Sequence, residues 1–142
     1  MTSGKQGEML FRQIMINKGY KVVDVSDNPE YWRKDIDFII TSPTTGLTKT
    51  FEVKYDSKIN KTGNLFLEVL SANSEGGFGW FEFCKADYIA YGDAVNGTFY
   101  IIPLLELKEK VNRMPKQIAG CGKDSYGYLV PIKALSAITQ TL

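Results

Sequence analysis

The sequence predicts an α/β fold in which a mixed central β-sheet is flanked by helices. Three observations predict it. Apolar residues recur at helical spacing near the N-terminus, two alternating runs separated by a turn follow them, and later β-branched runs are interleaved with a second helical pattern. With 142 residues, 44% of them hydrophobic, the chain is expected to fold as a single domain spanning residues 1–142 around one core.

The elements are justified in order. Ser3-Gly4-Lys5-Gln6 has the form of a capping box, Leu10, Phe11, Ile14 and Met15 keep helical spacing, and Gly19 supplies a left-handed stop. The spacing places a helix at about residues 4–18. Tyr20 to Val25 is short and β-branched, and Ser26-Asp27-Asn28-Pro29 punctuates it. Asp35 to Thr41 then alternates, Ser42 to Gly46 forms a turn, and Thr50 to Tyr55 alternates again, which is the pattern of a hairpin.

Centring the bend between Thr44 and Thr45 sets Asp37 opposite Glu52 and Asp35 opposite Lys54. The period-two geometry of a strand puts all four on one face and leaves Ile36, Phe38, Ile40, Phe51 and Val53 on the other, as core. A slip of one residue would spoil the cross-strand match. It would not separate Glu52 from Lys54, which share a strand. Further on, Ala86 to Tyr91 and Thr98 to Ile102 read as strands that extend the sheet. Leu104 to Val111 reads as a helix introduced by Pro103, Gly120 to Ser125 as a loop, Tyr126 to Ile132 as a strand, and Lys133 to Thr139 as a terminal helical turn.

Composition excludes several kinds of chemistry. The chain has no histidine and two cysteines, Cys84 and Cys121, so His-based nucleophilic catalysis, a zinc site and a disulfide framework all lack their groups. Both thiols are expected to be reduced and buried. Carboxylate and lysine chemistry remains. The start lacks the apolar stretch of a secretory signal, and no run approaches the roughly eighteen apolar residues of a membrane span, so a soluble, cytoplasmic protein with no membrane partner is expected. A net charge of only +1 argues that any grip on nucleic acid comes from a local patch, with a homodimer or a protein partner as a source of more.

Two carboxylates facing each other across a hairpin repel unless a cation lies between them. A divalent ion is the economical solution. Magnesium takes oxygen ligands, commonly one or two carboxylates completed by waters and phosphate oxygens. Asp37 and Glu52 supply such ligands, and Lys54 would stand beside the water or phosphate as a point charge.

Those residues coincide with a family pattern. An acid on a helix (Glu8 in Gly7-Glu8-Met9-Leu10-Phe11), Asp37-Phe38-Ile39-Ile40 on a strand and Glu52-Val53-Lys54 on the next together resemble the PD-(D/E)XK, or restriction-endonuclease-like, nuclease superfamily. The proline that often precedes the aspartate is absent, since Ile36 stands there. Lys61 to Glu68 and Ala86-Asp87-Tyr88 are similar to small phage and prophage members, so that the resemblance covers about residues 4–92. It implies a restriction-endonuclease-like core and a Mg2+-dependent deoxyribonuclease, with Mn2+ able to substitute. The implied metal ligands are Asp37, Glu52, Glu8 and the Val53 backbone carbonyl, with Lys54 catalytic. It also implies DNA as partner, a phage or host protein as a further one, and the host cytoplasm as location. The alternative is an inactive nuclease-like module of phage origin that binds DNA or protein.

Other residues keep two readings. Asp35 is either a partner of Lys54 or an exposed strand acid, and stays outside the triad. Glu8 is either a metal ligand or a first-turn acid favoured by the helix dipole. Glu68 points into the same cleft or to solvent. Lys58, Lys61 and Asn64, in a loop read as flexible, either meet phosphates or form a solvated turn. The glycine and aromatic run from Glu75 to Phe81 either stacks on bases or anchors the core.

Overall fold

The computed structural model describes residues 3–71, 77–115, 117–120 and 124–142, and not the Ser3 side chain. The capping box assigned to Ser3, part of the Glu75 to Phe81 run and Cys121 therefore lie outside the described residues. Helix α1 (Ser3–Asn17) ends as expected: Gly19 adopts φ +89°, and the Tyr20 N–H donates to the Met15 carbonyl at 3.1 Å. Strands β1 (Lys21–Asp24), β2 (Phe38–Thr41) and β3 (Thr48–Asp56) form an antiparallel meander. The short helix α2 (Pro29–Trp32) lies between β1 and β2, capped by Asn28.

After β3 come helix α3 (Lys58–Thr62), strand β4 (Asn64–Ser71) and helix α4 (Trp80–Phe83). Strand β5 (Tyr88–Asp93) then runs parallel to β3, followed by β6 (Phe99–Pro103) and helix α5 (Leu104–Arg113). Strands β7 (Gln117–Gly120) and β8 (Ser125–Pro131), a 3₁₀ segment over Ile132–Ile138 and β9 (Gln140–Thr141) complete the described chain.

The strands form two sheets. Six order as β1-β2-β3-β5-β6-β9, a mixed sheet, and three order as β4-β8-β7. The expected mixed central sheet with flanking helices is present. The strand read over Tyr126 to Ile132 is present as β8 and belongs to the smaller sheet, paired with β4 and β7. The expected single core is divided by the large sheet into two clusters. On one face, Phe11 and Met15 of α1 pack on Phe38, Ile40, Phe51, Val53, Ala90, Phe99 and Ile101. On the other, Ile89, Tyr91 and Ile102 meet the small sheet (Leu65, Leu67, Val130), α4 (Trp80, Phe81), α5 (Leu104, Leu107) and Leu135.

Two expectations are corrected. The strand read from Asp35 begins only at Phe38, because Asp35 takes a left-handed backbone at φ +57°. Alternation is lost there, so Ile36 is buried with Val25 and Leu65 rather than on the Phe38 face. The loop read over Lys58 to Asn64 is instead a helix followed by a strand. Asp56 Oδ1 accepts the Ile59 N–H at 3.0 Å, Ile59 is buried, and Gly63 closes the helix at φ +71°. Among the described residues, no helix is long and apolar enough to cross a membrane.

Candidate active site

The hairpin register is the expected one. Phe38 faces Phe51 and Ile40 faces Lys49, a ladder that reaches Asp37 and Glu52 when carried one step further. Asp37 leaves the ladder at that step. Its N–H donates to the Phe51 carbonyl at 2.9 Å, and its carboxylate Oδ2 accepts the Val53 N–H at 2.9 Å, taking a place a backbone carbonyl would fill. The aspartate is thereby fixed at the edge of β3. On β3 itself, Glu52 and Lys54 share the face opposite Phe51 and Val53, and the Lys54 ammonium lies 3.3 Å from Glu52 Oε1.

Glu8 approaches from α1. Gly7 permits it, since a Cβ at that position would stand 2.5 Å from Tyr55 Cβ and Cγ. Glycine thus lets the first turns of α1 lie against β3 and carries the neighbouring Glu8 to the strand ends. Desolvation, then the Asp37 carboxylate, raises the Glu8 carboxyl from its ordinary 4.5 to about 7, against the opposing pull of Lys5 at 3.9 Å.

Glu52 is the most deeply buried of these acids, at 4% exposure. Burial raises its pKa well above the usual range; Lys54 opposes that rise, and Asp35 and Asp37 add to it. Its Oε2 is buried and makes no hydrogen bond. Burial works to lower the Lys54 pKa, but Glu52 and Asp35 together outweigh it and hold the ammonium above the ordinary lysine value. Asp35 does not face Lys54 across a ladder as the hairpin reading expected. It reaches the ammonium from its turn instead, with Oδ2 at 3.7 Å.

Asp37 and Glu52 are thus brought together beside Lys54, and Glu8, on the α1 side of the sheet, interacts with Asp37. Among the described residues, however, no group of three or more His, Cys, Asp or Glu side chains is arranged as a metal site. Glu68 stands apart, accepting a hydrogen bond from Ser125 Oγ at 2.6 Å. Lys58 and Asn64 line a cavity of about 650 Å3 beyond the end of β3, with Tyr55, Ser57, Thr62 and Phe66. Lys61 is exposed in the last turn of α3 and is not part of that lining.

Comparison with known proteins bears on the fold. No protein-family model and no curated protein matches the chain. Among solved structures, a bacterial homing endonuclease, I-Ssp6803I, matches with a TM-score of 0.54 at 16% identity, over 90% of this chain and 76% of that one. The two chains are similar in fold. At that identity the likeness concerns architecture, an α/β arrangement with a mixed central sheet, and leaves the site to be judged on its own geometry.

Sequence reading placed Trp80 in an aromatic run but missed its contact with Lys54. Its ring centroid lies 5.0 Å from the Lys54 ammonium, and at 8% exposure it is also a core residue. Nothing in the spacing of Trp80 relates it to β3, some 26 residues earlier, so only the folded chain reveals the pair. The core-anchor reading holds for Trp80 and Phe81, whereas Phe78 is 53% exposed. Cys84 is buried as expected, and burial pushes its thiol up to about 12, so the unreactive protonated form prevails.

Proposed function

We propose that the protein is a metal-dependent nuclease that hydrolyses phosphodiester bonds in DNA. The observation that carries this reading is the pairing of Asp37 with Glu52 beside the Lys54 ammonium, with Glu8 interacting with Asp37 and Glu52 Oε2 buried without a hydrogen-bond partner. A buried carboxylate oxygen with no donor is costly unless a cation meets it. Hard oxygen donors of this kind suit Mg2+, with Mn2+ as a substitute. The endonuclease-like fold supports the same reading by analogy.

Asp37, Glu52 and Glu8 would hold the ion, with the Val53 backbone carbonyl added by the family resemblance. When bound, the ion lowers the pKa of a water and offsets charge on the phosphate oxygens. The protein's own groups do the rest. The Val53 N–H fixes the Asp37 carboxylate before any ligand arrives, so little reorganisation is required. Lys54, kept charged by Glu52 and Asp35, orients the attacking water or stabilises the negative charge that develops on the phosphate. Asp37→Ala or Lys54→Ala is expected to reduce DNA cleavage in Mg2+ by about a thousandfold or more while the thermal transition is retained. Unchanged cutting by either variant rejects the site.

A second reading is favoured by one observation: Asp37 Oδ2 and Glu52 Oε1 already have protein partners, and no metal arrangement is formed among the described residues. On that reading the chain is a catalytically inactive nuclease-like module that binds DNA or a protein partner. Protein that binds duplex, single-stranded or junction DNA and leaves all three uncut in Mg2+ and Mn2+ selects it.

A further inference from the structure

Lys54 is enclosed by two groups that come from outside its strand. Trp80 begins α4 and offers its indole face to the ammonium at 5.0 Å. Asp35 sits in the turn before β2 and places Oδ2 at 3.7 Å from the same ammonium. Asp35 is the one non-glycine residue with positive φ among the described residues, at +57°. Backbone held in that region persists only where its surroundings enforce it. Here they do: the Lys85 N–H donates to the Lys34 carbonyl at 2.9 Å, and Cys84 Sγ donates to the Asp35 carbonyl at 3.4 Å. The Asp35 turn is therefore tied to the end of the same short helix that begins with Trp80.

The small sheet holds that helix in turn. The Gly79 N–H donates to the Val69 carbonyl at 2.8 Å, and a Cβ on Gly79 would stand 2.4 Å from the Glu68 carbonyl oxygen. Only glycine allows this approach of α4 to β4. Asp35 Oδ2 is buried and makes no hydrogen bond, so its contribution is an ion pair with Lys54. An ammonium bounded by an aromatic face and two carboxylates has few rotamers left, whereas a free lysine head is a mobile point charge.

We propose that Trp80 and Asp35 are positioning residues that aim the Lys54 ammonium at the reacting phosphate, so that α4 and the Asp35 turn act as one clamp on Lys54. This inference rests on the nuclease reading for its catalytic consequence, but not for its geometry. The test uses the full chain and its Trp80→Phe, Trp80→Leu and Asp35→Asn variants. Two quantities are read: the Lys54 Cε proton shifts by NMR, with the assignment fixed by Lys54→Arg, and the cleavage of DNA in Mg2+ resolved into kcat and KM.

The wild-type Lys54 Cε protons are expected upfield of the other lysines through the indole ring current. Trp80→Leu returns them to the common position and lowers kcat by about tenfold, with KM changed less than twofold. Trp80→Phe, which keeps an aromatic face, holds kcat within about threefold of wild type. Asp35→Asn lowers kcat alone by a similar factor to Trp80→Leu. A wild-type Lys54 signal among the ordinary lysines overturns the clamp. So does a Trp80→Leu enzyme whose kcat per folded molecule is unchanged, or a Trp80→Phe enzyme as impaired as Trp80→Leu. A wild-type protein with the upfield signal and no cleavage removes the nuclease reading instead and leaves the clamp as a structural fact.

Discussion

The two faces of β3 differ in what their burial does. Toward α1, Phe51 and Val53 are apolar and closely packed, and Phe11 touches three aromatic rings, with centroids at 6.2 Å to Phe38, 5.6 Å to Phe51 and 5.3 Å to Phe99. Toward the small sheet, the same strand presents Glu52 and Lys54, an acid buried to 4% exposure beside an ammonium. Alternate residues of one strand thus contribute opposite signs to stability. The apolar face gains from leaving water, while the polar face pays desolvation that its ion pair offsets only in part. Structural interest alone would favour apolar residues on both faces, so the polar face is where function is expected.

The sharpest way to break the contrast is to remove one group from each face. Phe11→Ala is expected to destabilise the protein by about 3–5 kcal/mol, read from the urea midpoint. Glu52→Gln removes a buried charge and keeps the shape. It is expected to stabilise the metal-free protein at pH 8, where a carboxyl whose pKa burial raises in the fold costs most when ionised, while abolishing cleavage. A Glu52→Gln protein less stable than wild type under those conditions would show that the Lys54 pair contributes net stability, and would remove the asymmetry between the faces.

What the sequence revealed of this arrangement follows from where the governing physics is local. Strand periodicity and turn residues are local, so the register of β2 and β3 and the shared face of Glu52 and Lys54 were legible from Asp35 to Tyr55 alone. The left-handed Asp35 was not, because its conformation is enforced by Cys84 and Lys85, far along the chain. The short helix at Lys58 was hidden by polar residues typical of loops, although Asp56 three residues before Ile59 was a usable cap signal. The division of strands between two sheets depends on pairing β4 with β8, a contact that no spacing announces. Glu8 was placed by a family resemblance. The reason it reaches β3, the missing Cβ of Gly7 beneath Tyr55, is tertiary.

The next effect is one of pH. Glu8 titrates near 7 in the folded chain against an ordinary 4.5. A carboxyl raised in this way favours its neutral form in the fold, so its cost is absent below pH 4.5, grows as pH rises toward 7, and is full above that. The metal-free protein is expected to lose thermal stability over this window, and Glu8→Gln to flatten that loss. Divalent cations that bind only the folded chain should restore the wild-type transition at pH 8 and leave Glu8→Gln less affected. A wild-type stability curve that is level across the window, or identical in the variant, would place Glu8 outside the charged cluster.

The smallest effect separates the site from the surface around it. Lys58 and Asn64 line the cavity beyond β3, whereas Lys61 is exposed on the last turn of α3. If Lys61 meets a DNA phosphate as a surface cation, its contribution is nonspecific and screened by salt. Lys61→Ala should then weaken binding uniformly across sequences and reduce the salt slope by about one, with kcat unchanged. Lys58→Ala should reduce the slope similarly but, because its position borders the cavity, should also alter the preference between duplex and single-stranded DNA. Two variants with the same substrate preference would mean that the cavity takes no part in reading the strand and that α3 acts through charge alone.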